Sequence, residues 1–128
     1  MTTTINPHKG RTGLDRLLRA TGYSIDGLKI AFHGESAFRQ ESLLALVMLP
    51  AAFLLGGSWI EVAILAGSVL LVLIVELLNS GIEAAIDRVS LDLHDLSKRA
   101  KDLASAAVFL SLLLCVGVWV TALLHRFA

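Results

Sequence analysis

Three uncharged apolar stretches divide the chain. Ser42 to Ile60 runs 19 residues, Val62 to Val75 runs 14 and Leu103 to Leu124 runs 22. The hydrocarbon core of a bilayer takes about 20 residues of helix, within a range of roughly 17–25. The first and third stretches meet that length outright. The second meets it only when its helical pattern is carried past Glu76 to about Arg88. Spans are therefore predicted at 42–60, 62–86 and 103–124. Ahead of them, Gly13 to Gly34 reads as an amphipathic helix: Leu14, Leu17, Leu18, Leu28, Ala31 and Phe32 alternate with Asp15, Arg16, Arg19, Asp26 and Lys29. Such a helix lies along a membrane surface with its basic face toward anionic headgroups. A break is expected at Thr21-Gly22-Tyr23-Ser24, with Ser24 as the N-cap of the second half. Residues 1–12 are polar, contain Pro7 and Gly10, and read as a mobile extension.

Composition supports the membrane reading. Of 128 residues, 55% are hydrophobic and the mean hydropathy is +0.74. A soluble chain this short cannot hide that much apolar surface within itself. Leu103 to Leu124 is apolar all round, so a soluble three-helix bundle would have no polar face there. The expected fold is an all-α membrane protein: one domain over 13–128, with a surface helix and three transmembrane helices. Net charge is zero, so nothing draws the chain toward nucleic acid. The single Cys115 sits in an apolar run and reads as a packing residue. The first thirty residues lack the continuous apolar core of a signal peptide.

Charge orients the spans. Lys9, Arg11, Arg16, Arg19, Lys29 and Arg39 precede the first, and Arg88, Lys98, Arg99 and Lys101 lie between the second and third. The turn at Gly57-Ser58-Trp59-Ile60-Glu61 has no cation, and the C-terminal tail has only Arg126. Ten of the eleven cations thus share one side, which the positive-inside rule places in the cytosol. The N-terminus is then cytosolic and the C-terminus outside.

The chemistry concentrates at the cytosolic end of the second span. At about 100° per residue, Glu76, Asn79 and Glu83 fall within roughly 60° of one another, and Asp87 joins the stripe. Counting from Glu61 at the outer boundary, Glu76 lies about 22 Å deep, in the inner third of a core about 30 Å thick. Glu83 lies about 10 Å further, among headgroups and water. Ionisable groups at membrane depth cost about 2.5–3.5 kcal/mol each on insertion scales and mark function. Glu76 is either a base for a hydroxyl proton or a buried acid bonded to a neighbouring helix. Asn79 either orients the same substrate or makes an interhelical bond. Glu35 and Glu41, where the surface helix meets the first span, are either interfacial carboxylates or a second acidic cluster facing Glu83. Glutamates from two helices suit a hard divalent cation such as Mg²⁺. Lys101 and Asp102 open the third span at the same depth, where Lys101 would meet phosphates. His94 reads as a surface loop residue. No Walker-type phosphate loop and no protein-kinase motif set is present.

Three segments carry a resemblance. Glu35-Ser36-Ala37-Phe38-Arg39-Gln40-Glu41, the run Val75 to Arg88 containing E-x-x-N-S-x-x-E-x-x-x-D, and Ala100-Lys101-Asp102-Leu103-Ala104-Ser105-Ala106-Ala107-Val108 resemble the bacterial integral-membrane diacylglycerol kinases in order and spacing. The resemblance covers about Gly13 to Phe127. It implies a homotrimer in the bacterial inner membrane that moves a phosphoryl group from MgATP to the sn-3 hydroxyl of diacylglycerol. It implies Glu76 as general base and Glu35 and Glu83 as holders of the divalent cation. Tyr23, Asn79, Asp92, His94, Lys101 and Asp102 would join Glu35 and Glu83 around ATP. Arg16, Ala37, Phe38, Arg39, Gln40, Glu41, Ser105 and Trp119 would border the lipid with Glu76. Leu93 departs from the pattern, since the family often has an aromatic before the loop histidine. The competing expectations are an undecaprenol kinase of the same superfamily and a non-enzymatic membrane assembly protein. A longer surface helix and a fuller third span favour diacylglycerol.

Overall fold

The computed structural model describes residues 13–128 and is helical almost throughout. The order is α1 (Gly13–Gly34), α2 (Ser36–Leu55), α3 (Trp59–Val89) and α4 (Asp95–Phe127). The last three are long and apolar enough to cross a membrane. The extension at 1–12 lies outside the described residues.

α1 is one continuous helix, which corrects the expected break at Thr21 to Ser24. The hydroxyls that would have capped a new helix instead bond backwards. Thr21 Oγ1 donates to the Leu17 carbonyl and Ser24 Oγ to the Ala20 carbonyl, each at 2.9 Å. Ser and Thr can satisfy themselves this way inside a helix, so their presence does not oblige it to end. A single extended residue, Glu35, separates α1 from α2. Its side chain makes no capping bond.

The outer turn is short because its residues close it from both sides. α2 ends at Leu55, five residues before the apolar stretch does, and Trp59 and Ile60 already belong to α3. Ser58 Oγ accepts the Glu61 N–H at 3.2 Å, while Glu61 Oε2 accepts the Gly57 N–H at 2.7 Å. This reciprocal capping satisfies donors that would otherwise be orphaned. Gly56 is fixed by space: a Cβ there would meet Val62 Cγ2 at 2.6 Å and the Val62 nitrogen at 2.9 Å.

α3 and α4 have 31 and 33 residues, so they are about 46 and 50 Å long and overrun a core of about 30 Å. The overhang carries Glu83 and Asp87 on α3 and Lys98 to Asp102 on α4. The loop between them is tied locally. Ser90 Oγ accepts the Asp92 N–H at 3.0 Å, and His94 Nδ1 caps α4 by accepting the Leu96 N–H at 3.1 Å.

Packing follows a seven-residue spacing. Buried residues on α2 are Phe38, Ala45 and Ala52; on α3 they are Val62, Leu65, Ser68, Val69, Val72 and Glu76. Positions 62, 65, 69, 72 and 76 alternate steps of three and four, the period of two helices in lasting contact. In lipid such contact depends on close approach and interhelical bonds, which small residues permit. Ala45, Val69, Val72 and Cys115 form the core cluster, with Met48, Leu49, Leu73 and Trp119 against it. Cys115 is buried there, as its apolar setting implied. The Trp119 indole on α4 donates to Ser68 Oγ at 3.2 Å and to the Leu65 carbonyl at 3.3 Å, pinning α4 to α3. Outside the seams, Leu46, Val47, Leu54, Leu110 and Val116 are exposed, as a lipid-facing surface requires.

Two outcomes follow. Gly56→Ala should destabilise the fold by about 1–3 kcal/mol through overpacking of the outer turn, measured by unfolding in mixed micelles. Trp119→Phe keeps the ring and loses the N–H. It should cost about 0.6 kcal/mol and at most about 1.7, the range for interhelical bonds in lipid.

Candidate active site

At the end away from the α2–α3 turn, the packed faces of α2 and α3 carry acids rather than alkyl groups. On α2, Phe38, Glu41, Ala45, Met48 and Ala52 recur at steps of three and four, and Phe38, Ala45 and Ala52 are buried. On α3, Glu76 is the innermost buried residue and only 8% exposed. Because both helices keep the same period, Glu41 and Glu76 come near enough across the seam to act on each other. Of the two expectations for Glu41, an interfacial carboxylate or one facing Glu83, neither named Glu76, which is the acid that acts on it. Its surroundings are apolar: a cavity of about 60 Å³ beside it is lined by Leu44, Met48, Val69, Val72, Leu73, Leu112 and Cys115.

Toward the α3–α4 loop the site widens. Glu35 and Glu83 lie near enough for their charges to act on Glu76. Asn79 Nδ2 donates to Glu83 Oε1 at 3.5 Å, a long bond, and Asn79 Oδ1 is buried with no donor. Arg39 Nε is also buried without a partner. A groove of about 610 Å³ runs between α1 and α3, bounded by Ser24, Gly27, Leu28, Ile30, Ala31 and Glu35 on one side and Leu77, Ser80, Gly81 and Ala84 on the other. Small residues on α3 make it wide, and Glu35 stands at its wall.

At the boundary, α3 and α4 are joined by a direct ion pair: Lys101 Nζ to Asp87 Oδ1 at 2.8 Å. Glu83 adds its attraction to the same ammonium. Asp102 pairs with Lys98 one turn back at 2.5 Å. Asp92 and His94 are exposed in the loop, and His94 Nδ1 is spent on its cap. Leu93 is fully exposed. Tyr23 is half-buried on α1, and Arg16 is exposed on the same helix. Ala37 and Gln40 are exposed at the start of α2, and Ser105 is exposed on α4. Trp119 stands apart. Its partner Ser68 is eight residues outward of Glu76, about 12 Å along the helix.

The donor set bears on a metal. Among the described residues, no three His, Cys, Asp or Glu side chains converge to hold an ion unaided. Mg²⁺ does not need that; it keeps waters and takes one or two carboxylates with phosphate oxygens. Glu35, Glu83 and the unpartnered Asn79 Oδ1 are all hard oxygen ligands, so the residues present fit such an ion.

Sequence reasoning missed three things: the Glu41–Glu76 proximity, the Asp87–Lys101 tie and the Arg39 Nε left without a partner. The first was visible in the spacing Phe38, Glu41, Ala45, Met48, Ala52 set against Val62, Leu65, Val69, Val72, Glu76. The second joins residues fourteen apart across a loop, and no local pattern announces it.

Fold and site define a small polytopic membrane protein that holds an acidic centre where its helices leave the bilayer. The family model for prokaryotic diacylglycerol kinase matches residues 22–123. A diacylglycerol kinase of Pseudomonas aeruginosa is 56% identical over 119 residues, covering 93% of this chain and 97% of that one. Those of Haemophilus influenzae and Escherichia coli are 48% and 44% identical over 108 and 116 residues, with 84% and 91% of this chain covered and 92% and 95% of theirs. The chain belongs to the prokaryotic diacylglycerol kinase family. Its three membrane-length helices and that family make it a bacterial inner-membrane protein.

One outcome tests the geometry. The Asp87–Lys101 pair is solvent-exposed, so Asp87→Asn should leave the thermal unfolding midpoint unchanged, read by circular dichroism in micelles.

Proposed function

We propose that this protein is a diacylglycerol kinase that transfers the γ-phosphoryl group of MgATP to the sn-3 hydroxyl of diacylglycerol, giving phosphatidate and ADP. The observation that carries the reading is the placement of Glu76. It is a carboxyl buried at lipid depth, on the same helix face as Asn79 and Glu83 at the water boundary. The lipid hydroxyl reaches Glu76 from the bilayer, and the nucleotide reaches Glu83 from the cytosol. Family membership supports the lipid class.

In this reading Glu76 takes the hydroxyl proton as the lipid oxygen bonds to the γ-phosphorus and the bond to the β–γ bridging oxygen breaks. General-base catalysis of this kind contributes about 10²–10⁴-fold. The remaining work is positioning and charge neutralisation. Glu35, Glu83 and Asn79 Oδ1 would hold a divalent cation, which supplies charge neutralisation on the phosphate oxygens. Lys101, released from Asp87, would meet the same phosphates, with Tyr23, Asp92, His94 and Asp102 around the nucleotide. Arg16 and the segment Ala37 to Glu41 would border the lipid, with Ser105 and Trp119 along α4. A single chain leaves Glu83, Asn79 and Glu35 only part-covered, which supports a site completed by a second copy in a homotrimer. The cationic side of the chain, with the N-terminus, faces the cytosol and the C-terminus the periplasm.

Purified protein in mixed micelles, assayed with diacylglycerol and with undecaprenol, tests the reading. We expect higher Mg-dependent turnover on diacylglycerol; higher turnover on undecaprenol would overturn the lipid assignment. Glu76→Gln should lower kcat by about 10²–10⁴-fold with folding and assembly intact. Glu83→Gln should in addition raise the KM for MgATP. Near-normal turnover of Glu76→Gln would remove Glu76 as the base.

A further inference from the structure

We propose that Asp87 competes with the nucleotide phosphates for Lys101, so that MgATP binds by displacing a carboxylate of the protein. The inference rests on the reading of Lys101 given above, as a group that meets those phosphates.

Lys101 Nζ donates to Asp87 Oδ1 at 2.8 Å. The bond crosses from α4 to α3 and spans fourteen positions of sequence, so neither helix makes it alone. Asp87 lies one turn beyond Glu83 on the stripe that begins at Glu76, about 6 Å further along α3. The Lys101 ammonium is therefore held at the loop end of the stripe, next to the acid that would hold the divalent cation. Its neighbour Lys98 is bonded to Asp102 on its own helix. Of the two lysines, Lys101 is thus the one turned toward α3.

The pair is built to open. The Lys101 side chain is 42% exposed and that of Asp87 47%. Water competes for both ends of such a pair, so it adds little to the fold. A buried pair would behave differently, because the partner left behind would be a bare charge out of water. Asp87, once released, is hydrated instead. Lysine carries three donors on a flexible four-carbon stem, so the ammonium can swing one turn toward Glu83. A triphosphate offers it more negative charge than one carboxylate does, and the exchange runs toward the phosphates when MgATP arrives. The exchange also has a cost, since the Asp87 bond is lost as the phosphate bond is made. Asp87 therefore lowers nucleotide affinity, and each binding event removes this tie between α3 and α4.

Titration calorimetry of a non-hydrolysable MgATP analogue into the full chain in mixed micelles tests this at physiological ionic strength. Exposed charges out of contact are largely screened at that salt. Asp87→Asn should tighten binding about 2- to 5-fold, the scale of one exposed ion pair. Asp87→Glu keeps a carboxylate within reach of Lys101 and should match wild type. Lys101→Met should weaken binding, and adding Asp87→Asn to it should change nothing further. Three results would each overturn the proposal: unchanged or weaker binding by Asp87→Asn, binding by Asp87→Glu as tight as by Asp87→Asn, or a gain that persists in the Lys101→Met background. If Lys101→Met binds as tightly as wild type, the phosphate role of Lys101 falls and the proposal falls with it. If Lys101→Met weakens binding while Asp87→Asn does not tighten it, that role stands and the proposal alone falls. Both readouts are independent of turnover, so neither depends on Glu76 as the base.

Discussion

The α2–α3 seam is the constraint on which the rest of the structure depends. Its seven-residue spacing buries Phe38, Ala45 and Ala52 on α2 and Val62, Val69 and Val72 on α3, with Ala45, Val69 and Val72 in one core cluster, and the same spacing brings Glu41 and Glu76 near each other. A membrane offers helices little hydrophobic reason to associate, so closeness has to come from small residues and a few interhelical bonds. Ala45 and Ala52 supply the first. Trp119, Ser68 and Leu65 supply the second on the α4 side. Once the register is set, the acids have no freedom to lie elsewhere.

The seam also divides the site by environment. At its inner end the helices are still packed, and Glu76 is nearly sealed. Two turns on, α3 and α4 have left the hydrocarbon, and Glu83, Asp87 and Lys101 meet water. One helix therefore presents a lipid-depth acid and a boundary acid about 10 Å apart on a single face. A reaction joining a membrane alcohol to a soluble phosphate donor needs that gradient. The length of α3, which looked too short when only its uncharged part was counted, is what provides it.

Much of this was legible in the chain. The apolar runs gave the three spans, and the helical phase of Glu76, Asn79 and Glu83 gave the stripe. The amphipathic pattern gave α1, although Thr21 and Ser24 were misread as a break because their hydroxyls can bond backward as well as cap. The ends of α2 were less legible, since Trp59 and Ile60 are as apolar as the span before them and only the Gly56–Ser58 geometry assigns them to α3. Pairings between helices were least legible. Asp87 with Lys101 depends on how a loop returns, and Glu41 with Glu76 depends on comparing the periods of two helices. Each acid read alone looked interfacial or catalytic, and their proximity is a property of neither.

Disulfide formation tests the register most directly. In a Cys115→Ser background, Glu41→Cys combined with Glu76→Cys is oxidised in membranes, beside Glu41→Cys combined with Glu83→Cys. The seam predicts rapid crosslinking within one chain for the first pair and little for the second. Crosslinking of positions 41 and 83 in preference to 41 and 76 would contradict it.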